Sequence, residues 1–257
     1  MAGHSKWAQI KRQKAVKDYK KGQTFARYAR EIMVASRMGG PDPAGNFRLR
    51  TAIAHAKAAG LPNDNIARAI EKGQGAGGAD ALEALTYEGY GAGGVPILVE
   101  ALSENRNRTA GDVRSLFSKY GGNLGAEGCV LWQFEAVGLI RLPAQGLDET
   151  QLIEAMLAAG GLDLTLDDAE PGATFYEVVT PPEALNAVCQ VLSERLNVHE
   201  QSAEVTRRSQ SAELTIAMND PAQAKLLLKL LNALEALEDV QAVHANVSFD
   251  DAMLTLL

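Results

Sequence analysis

The sequence predicts an α+β protein: an N-terminal three-helix domain followed by two ferredoxin-like α+β domains, one inserted into the other. Three observations carry that prediction. Apolar residues recur at helical spacing between residues 24 and 72. After a glycine-rich stretch, GQGAGGAD at 73–80, the period changes to short strands alternating with helices. Residues 135–206 then read as a complete β-α-β-β-α-β set, whereas the segments on either side lack partners of their own. The domains are therefore drawn as 1–76, a discontinuous 81–134 plus 207–250, and an inserted 135–206.

The elements follow in order. Ser5 to Lys21 has lysines all round a helical wheel, with Trp7, Ile10, Val16 and Tyr19 scattered among them. With no apolar face it reads as an arm that orders on contact with phosphates. Thr24 to Met38 is amphipathic: Phe25, Ala29, Ile32 and Ser36 fall on one side, and Arg27, Arg30 and Arg37 form a stripe opposite. MGGPDPAGN is a loop. A second helix spans 47–59, its apolar residues bordered by Arg50 and Lys57. LPNDNIARAIEKG is a third, with an early Asn or Asp cap and Gly73 at its end.

LTYEGY and VPILVEAL read as strands joined at GAGG. RNRTAGDVRSLFSKYGG is a helix with Val113, Leu116, Phe117 and Tyr120 inward and Asn105 or Asn107 as cap. GCVLWQFE reads as a strand. GLIRL, the helix DETQLIEAMLAAG, LDLTLDD, TFYEVVT, the helix PPEALNAVCQVLSERL and VHEQSAEVTR complete the inserted set. AELTIAM (strand), QAKLLLKLLNALEAL (helix) and VQAVHANVSF (strand) close the chain.

Charge is divided between these parts. The first 30 residues hold nine Lys or Arg and one acid, Asp18, although the 257-residue chain has a net charge of −7. Residues 1–75 carry 15 basic and 5 acidic side chains, a net of +10. The remainder carries 10 basic and 27 acidic, a net of −17. A positive lobe on a negative body approaches a polyanion lobe first. Lys6, Lys11, Arg12, Lys14, Lys17, Lys20 and Lys21 form the candidate binding arm, and Arg27, Arg30 and Arg37 the adjoining stripe. Trp7 and Tyr19 could stack on bases or pack in a hinge. SENRNRT, residues 103–109, adds Arg106 and Arg108 just before a helix start, where amides and arginines together can hold phosphate.

Catalytic and metal chemistry find little support. GYGAGG formally matches G-x-G-x-x-G, but VPILVEAL follows it, a strand where a dinucleotide site needs a helix. No Walker A motif occurs, and His4, His55, His199 and His244 are scattered. Asp167, Asp168 and Glu170 read as a solvated turn between strands. Cys129 and Cys189 supply neither zinc spacing nor a disulfide framework and suit a reducing compartment. No apolar run has the roughly 18–20 residues of a membrane span, and no signal-peptide core is present. A mitochondrial presequence is a rival for the basic end, although Asp18 and Glu31 interrupt it.

GHSKWAQIK, LPNDNIARAIEKG, YEGYGAGGV, ENRNRTAGDVR and KYGGNLGAEGCV, in that order, resemble the YebC/PmpR family, whose members include bacterial regulators and a mitochondrial translational activator of cytochrome oxidase. The resemblance is densest over residues 1–135. It implies a helical domain and two α+β domains, a cytoplasmic bacterial protein, nucleic-acid binding and no catalytic residues; the residues themselves suggest no metal and no cofactor. Pro96 departs from the aliphatic residue expected there and suggests an edge strand. Transcriptional regulation on DNA is the first reading. A ribosome-associated translation factor binding rRNA or tRNA is the second, because no helix begins with an evident base-reading set. A ligand-binding protein or enzyme using a cleft between the α+β domains is the third.

Overall fold

The structure, a computed structural model, describes residues 21–75, 83–170, 173–198, 200 and 202–249. Most of the lysine-rich arm and most of the glycine-rich stretch therefore lie outside the described residues. The helical domain consists of α1 (Lys21–Gly39), α2 (Phe47–Ala58) and α3 (Asn63–Gly73). Ile32 and Ala35 of α1 meet Leu49, Ala52 and Ala56 of α2 and Ile66 and Ala69 of α3 in a small core. Alanines at these positions let the helices approach closely. Gly73 closes the packing, since a Cβ there would lie 2.5 Å from the Met33 carbonyl oxygen. Asn46 organises the α1–α2 turn: its amide donates to the carbonyls of Ala35 and Gly40, and its Oδ1 caps α2 by accepting from Leu49 N. The early Asn or Asp cap expected for α3 is absent. Pro62 occupies the cap, with no side-chain hydrogen bond, and Asp64 lies in the first turn, where the helix dipole favours it.

The chain continues through β1 (Glu83–Tyr90), β2 (Pro96–Ser103), α4 (Arg106–Lys119), β3 (Asn123–Leu124), β4 (Phe134–Pro143), α5 (Glu149–Ala158), β5 (Asp163–Glu170), β6 (Ala173–Thr180), α6 (Leu185–Leu196), β7 (Ser202–Ser209), β8 (Ile216–Met218), α7 (Pro221–Glu235), β9 (Val240–Ala245) and β10 (Val247–Phe249). It divides into two compact units, one containing Glu135–Arg208 and the other the described residues before and after it.

In the larger unit a four-stranded sheet runs in the order β3-β1-β2-β9, so strands more than a hundred residues apart are hydrogen-bonded neighbours. Ile97, Val99 and Ala101 of β2 point to the face that packs on α4 and α7, against Val113, Phe117, Leu227 and Leu231. On the other face Leu98 meets Val130 and Phe134, and Leu102 meets Val34 of the helical domain. A backbone hydrogen bond from Gln210 N to the Gln133 carbonyl, at 2.9 Å, closes the sheet domain where the chain leaves and returns. Two expectations change here. Pro96 is not on an edge strand: β2 is flanked by β1 and β9, and the proline is tolerated because it is the strand's first residue. GCVLWQFE is not a strand either. Its middle forms a 3-10 turn at Leu131–Gln133, and β4 starts only at Phe134.

The cause of that turn is Glu88, which is buried on β1 and accepts from the amides of Gly128, Val130 and Leu131 at 2.6–2.8 Å. A carboxylate holding three consecutive-turn amides forces the backbone inward where an apolar pattern alone suggests extension. GYGAGG is a hairpin turn between antiparallel β1 and β2, with Gly93 and Gly94 at φ of 74° and 73°.

The smaller unit has the strand order β5-β6-β4-β7 with α5 and α6 as its helices. Gly138 faces α6, where a Cβ would collide with Thr180 Oγ1 and Leu185. Asp167 is not part of a solvated turn. It is buried within β5 and accepts from Arg141 Nη2 at 3.1 Å, while that guanidinium stacks 3.6 Å from the Phe175 ring centre.

Burial raises the Glu88 pKa, but the three amide hydrogen bonds outweigh it and hold the carboxyl below its ordinary 4.5. A depressed folded pKa adds stability above the unfolded value, lost as pH falls through the folded one. Glu88→Gln should lower stability by about 2 kcal/mol at neutral pH, read from urea unfolding, with the difference from the parent shrinking below about pH 4.5. An unchanged difference at pH 3 would show that shape rather than charge holds the turn.

Candidate nucleic-acid interface

The sequence-derived site divides into three groups in the structure. Lys6, Lys11, Arg12, Lys14, Lys17 and Lys20 lie outside the described residues. Lys21 opens α1 and Arg27 lies in it, with side chains that are not described. Arg37 is exposed in the last turn of α1, where a cation suits the helix dipole. On the same domain Arg48, Arg50 and Lys57 of α2 and Arg68 of α3 are exposed, so the described helices present further cations to solvent.

Arg30 and Arg108 are brought together instead. Asp239, in the turn between α7 and β9, is the centre of this cluster. Arg30 Nη1 donates to its Oδ1 at 2.5 Å and to the Glu238 carbonyl. Arg108 Nη2, Thr109 Oγ1 and Ser103 Oγ all converge on Oδ2, at 2.9, 2.6 and 2.9 Å. Asn105 caps α4 by accepting from Arg108 N, and Ser103 Oγ accepts from Asn105 N. The local backbone is thus shaped to deliver both hydroxyls and one guanidinium to a single point. Arg106 faces Glu83 at 3.5 Å, and Lys72 of α3 pairs with Glu104 at 2.7 Å.

Side-chain exposure is 8% for Asp239, 18% for Arg30 and 57% for Arg108. Burial pushes the Asp239 carboxyl up, but hydrogen bonds from Arg108, Thr109, Arg30 and Ser103 outweigh it and hold the pKa at about 2. The same bond raises the Arg108 pKa. Sequence spacing gave no access to Asp239. It is an ordinary-looking acid 131 residues from Arg108 and 209 from Arg30, and only the β2–β9 pairing carries it to them. The Asn105 cap was legible, and it marks the turn that aims the cluster. Among the described residues no group of His, Cys, Asp and Glu is arranged to hold a metal ion, and no helix is long and apolar enough to cross a membrane.

Comparison with known proteins places the chain in a family. Residues 5–76 match the family described as TACO1/YebC protein N-terminal domain, and residues 82–247 match TACO1/YebC second and third domain. A probable transcriptional regulatory protein of Cyanothece sp. is 52% identical over 256 residues, covering 99% of this chain and 98% of that one. Another from Microcystis aeruginosa is 50% identical over 260 residues, covering 100% and 99%. The crystal structure of a conserved hypothetical protein from Aquifex aeolicus superposes with a TM-score of 0.80 at 44% identity, covering 96% of this chain and 98% of that one.

Asp239→Asn keeps the shape and removes the charge. It should destabilise the protein by about 3 kcal/mol at neutral pH, because two arginines lose a buried counter-ion. The folded pKa lies below the unfolded 3.8, so this contribution is complete above about pH 4 and fades towards about pH 2. Thermal unfolding of both proteins across that range checks it; parallel curves would count against the carboxylate as the source.

Proposed function

Because the chain belongs to the TACO1/YebC family, we propose that it is a non-enzymatic, cytoplasmic regulator of gene expression that binds nucleic acid through its basic N-terminal domain. The observation that carries this reading is the division of charge, +10 on residues 1–75 against −17 on the rest. Lysine and arginine contacts to phosphates release condensed counterions and supply most of the binding free energy. The acidic remainder repels the same polyanion and so selects the approach with the helical domain forward. The names of the relatives, probable transcriptional regulatory proteins, favour DNA as the target and transcription as the process.

A second reading rests on a specific feature of the helices. The first turn of α3 carries Asp64 beside Asn63 and Asn65, and that of α2 carries Arg48 and Arg50 with no Asn or Gln. Neither is an evident base-reading set, so backbone and shape recognition dominate, which suits structured RNA and the ribosome as well as duplex DNA.

Fluorescence anisotropy with duplex DNA and with hairpin RNA, across a salt series, tests the reading. Neutralising about six phosphates on a duplex predicts a log–log salt slope near −5. Changing Lys11, Arg12, Lys14, Lys17, Lys20 and Lys21 to Gln should flatten the slope and weaken binding at least 100-fold at low salt. Sedimentation of the tagged protein from growing cells separates the two processes. Salt-sensitive co-migration with ribosomes, lost in the variant, selects translation; absence from ribosomal fractions together with steep DNA binding selects transcription. No salt-dependent binding to either polymer would overturn the proposal.

A further inference from the structure

The group around Asp239 has the composition of an anion site. Two guanidinium groups and two hydroxyls point at one carboxylate, supplied by a distant part of the same chain. Ser103 and Thr109 are each 1% exposed, so their hydroxyls are buried donors with a fixed target. Take the carboxylate away and Arg30 and Arg108 face each other without a counter-ion, which strongly favours entry of another anion. Arg108 reaches Asp239 through Nη2 and leaves most of its side chain in solvent.

The same carboxylate joins two domains. Arg30 belongs to the helical domain; Ser103, Arg108, Thr109 and Asp239 belong to the sheet domain. Beyond it, described contacts across this joint are Arg30 to the Glu238 and Leu102 carbonyls, Lys72 to Glu104, and Val34 with Met33 against Leu102. Among these contacts the polar and ionic ones outnumber the apolar patch at Leu102, and the negative charge of Asp239 is at their centre.

We propose that Asp239 is the built-in occupant of a phosphate-type anion site formed by Arg30, Ser103, Arg108 and Thr109, and that a nucleic-acid phosphate taking Arg30 away from it releases the helical domain from the sheet domain. This rests on the reading that the basic domain binds nucleic acid. A free phosphate ion competes poorly, because Asp239 is tethered and its effective concentration is high. A polyanion held by the basic domain brings its phosphates in at comparable effective concentration, and guanidinium groups accept phosphate as readily as carboxylate. The exchange takes place at Arg30, where phosphate replaces carboxylate and the charge balance is kept, while Asp239 retains Arg108, Thr109 and Ser103 within the sheet domain. Asp239 would thus hold the free protein closed and yield only to a ligand already bound by the basic domain.

Asp239→Ala vacates the site. Its thermal midpoint in about 50 mM inorganic phosphate should exceed that in sodium chloride of equal ionic strength by roughly 3–6 °C. The parent protein, with the site filled, should show no phosphate-specific shift, and Asp239→Ala with Arg108→Gln should lose the shift. A folded Asp239→Ala protein with equal midpoints in the two salts overturns the anion site. Should that variant fail to fold in either salt, energy transfer in the otherwise intact protein decides. Dyes at Met38→Cys, in an exposed position on α1, and Lys225→Cys, exposed on α7, with Cys129 and Cys189 replaced by Ser, report the joint. Saturating duplex DNA or hairpin RNA should lower the transfer efficiency. Unchanged efficiency with binding demonstrated by anisotropy overturns the exchange. Absence of binding overturns the nucleic-acid reading itself, and with it the exchange, while the phosphate response of Asp239→Ala still decides whether the anion site exists.

Discussion

One buried carboxylate fixes the relation of the helical domain to the sheet domain. Asp239 sits at the point where α1, the end of β2, the first turn of α4 and the start of β9 come together, and each of the first three sends it a donor. Burial alone would push this group towards neutrality. Four hydrogen bonds, two of them from arginines, reverse that tendency and keep it charged. The apolar cores on either side are separate: α1, α2 and α3 close on their own alanine-rich interior, and the sheet closes on α4 and α7. Hydrophobic burial thus makes two bodies, and the ionic cluster joins them beside the apolar contact of Val34 with Leu102.

Glu88 plays a comparable part within the sheet domain. Both carboxylates satisfy buried donors: turn amides for Glu88, side-chain donors for Asp239. Leaving such donors unmet costs more than the modest net value of an ordinary hydrogen bond. These two acids therefore specify turns and joints, while the surplus of exposed acids sets the long-range field.

What was legible in the sequence follows from the range of the forces involved. Local periodicity placed α1, α2, α4 and α7 to within a few residues, because an amphipathic helix writes its buried face at i, i+3 and i+4. Asn105 was readable as a cap because capping acts over three residues. Pro96 was misread because a proline's tolerance depends on its place along the strand as well as on whether that strand is an edge. GCVLWQFE was misread because its extended pattern is overruled by Glu88, forty residues earlier. Asp167 was misread as solvent-facing because its partner Arg141 stands on β4. In each case the deciding group is distant in sequence and near in space.

The arginine stripe on α1 carries this furthest. A helical wheel assigns Arg30 to the face opposite the core and so to solvent, but that face is only free of the helix's own domain. In the structure it meets the sheet domain, and an arginine whose sequence context suggests phosphate contact holds a carboxylate instead. The two roles draw on one chemistry, since a guanidinium fork recognises carboxylate and phosphate alike. A basic surface intended for polyanions will therefore also bind the protein's own acids wherever the fold brings them near, and a chain with 32 acidic side chains offers many. The arrangement observed limits that competition to a few sites. Asp239 and Glu104 meet particular cations at the joint and Glu83 meets Arg106 within the sheet domain, whereas Arg48, Lys57 and Arg68 stay exposed on the helices. The positive face thus remains available to solvent even though the molecule as a whole is negative.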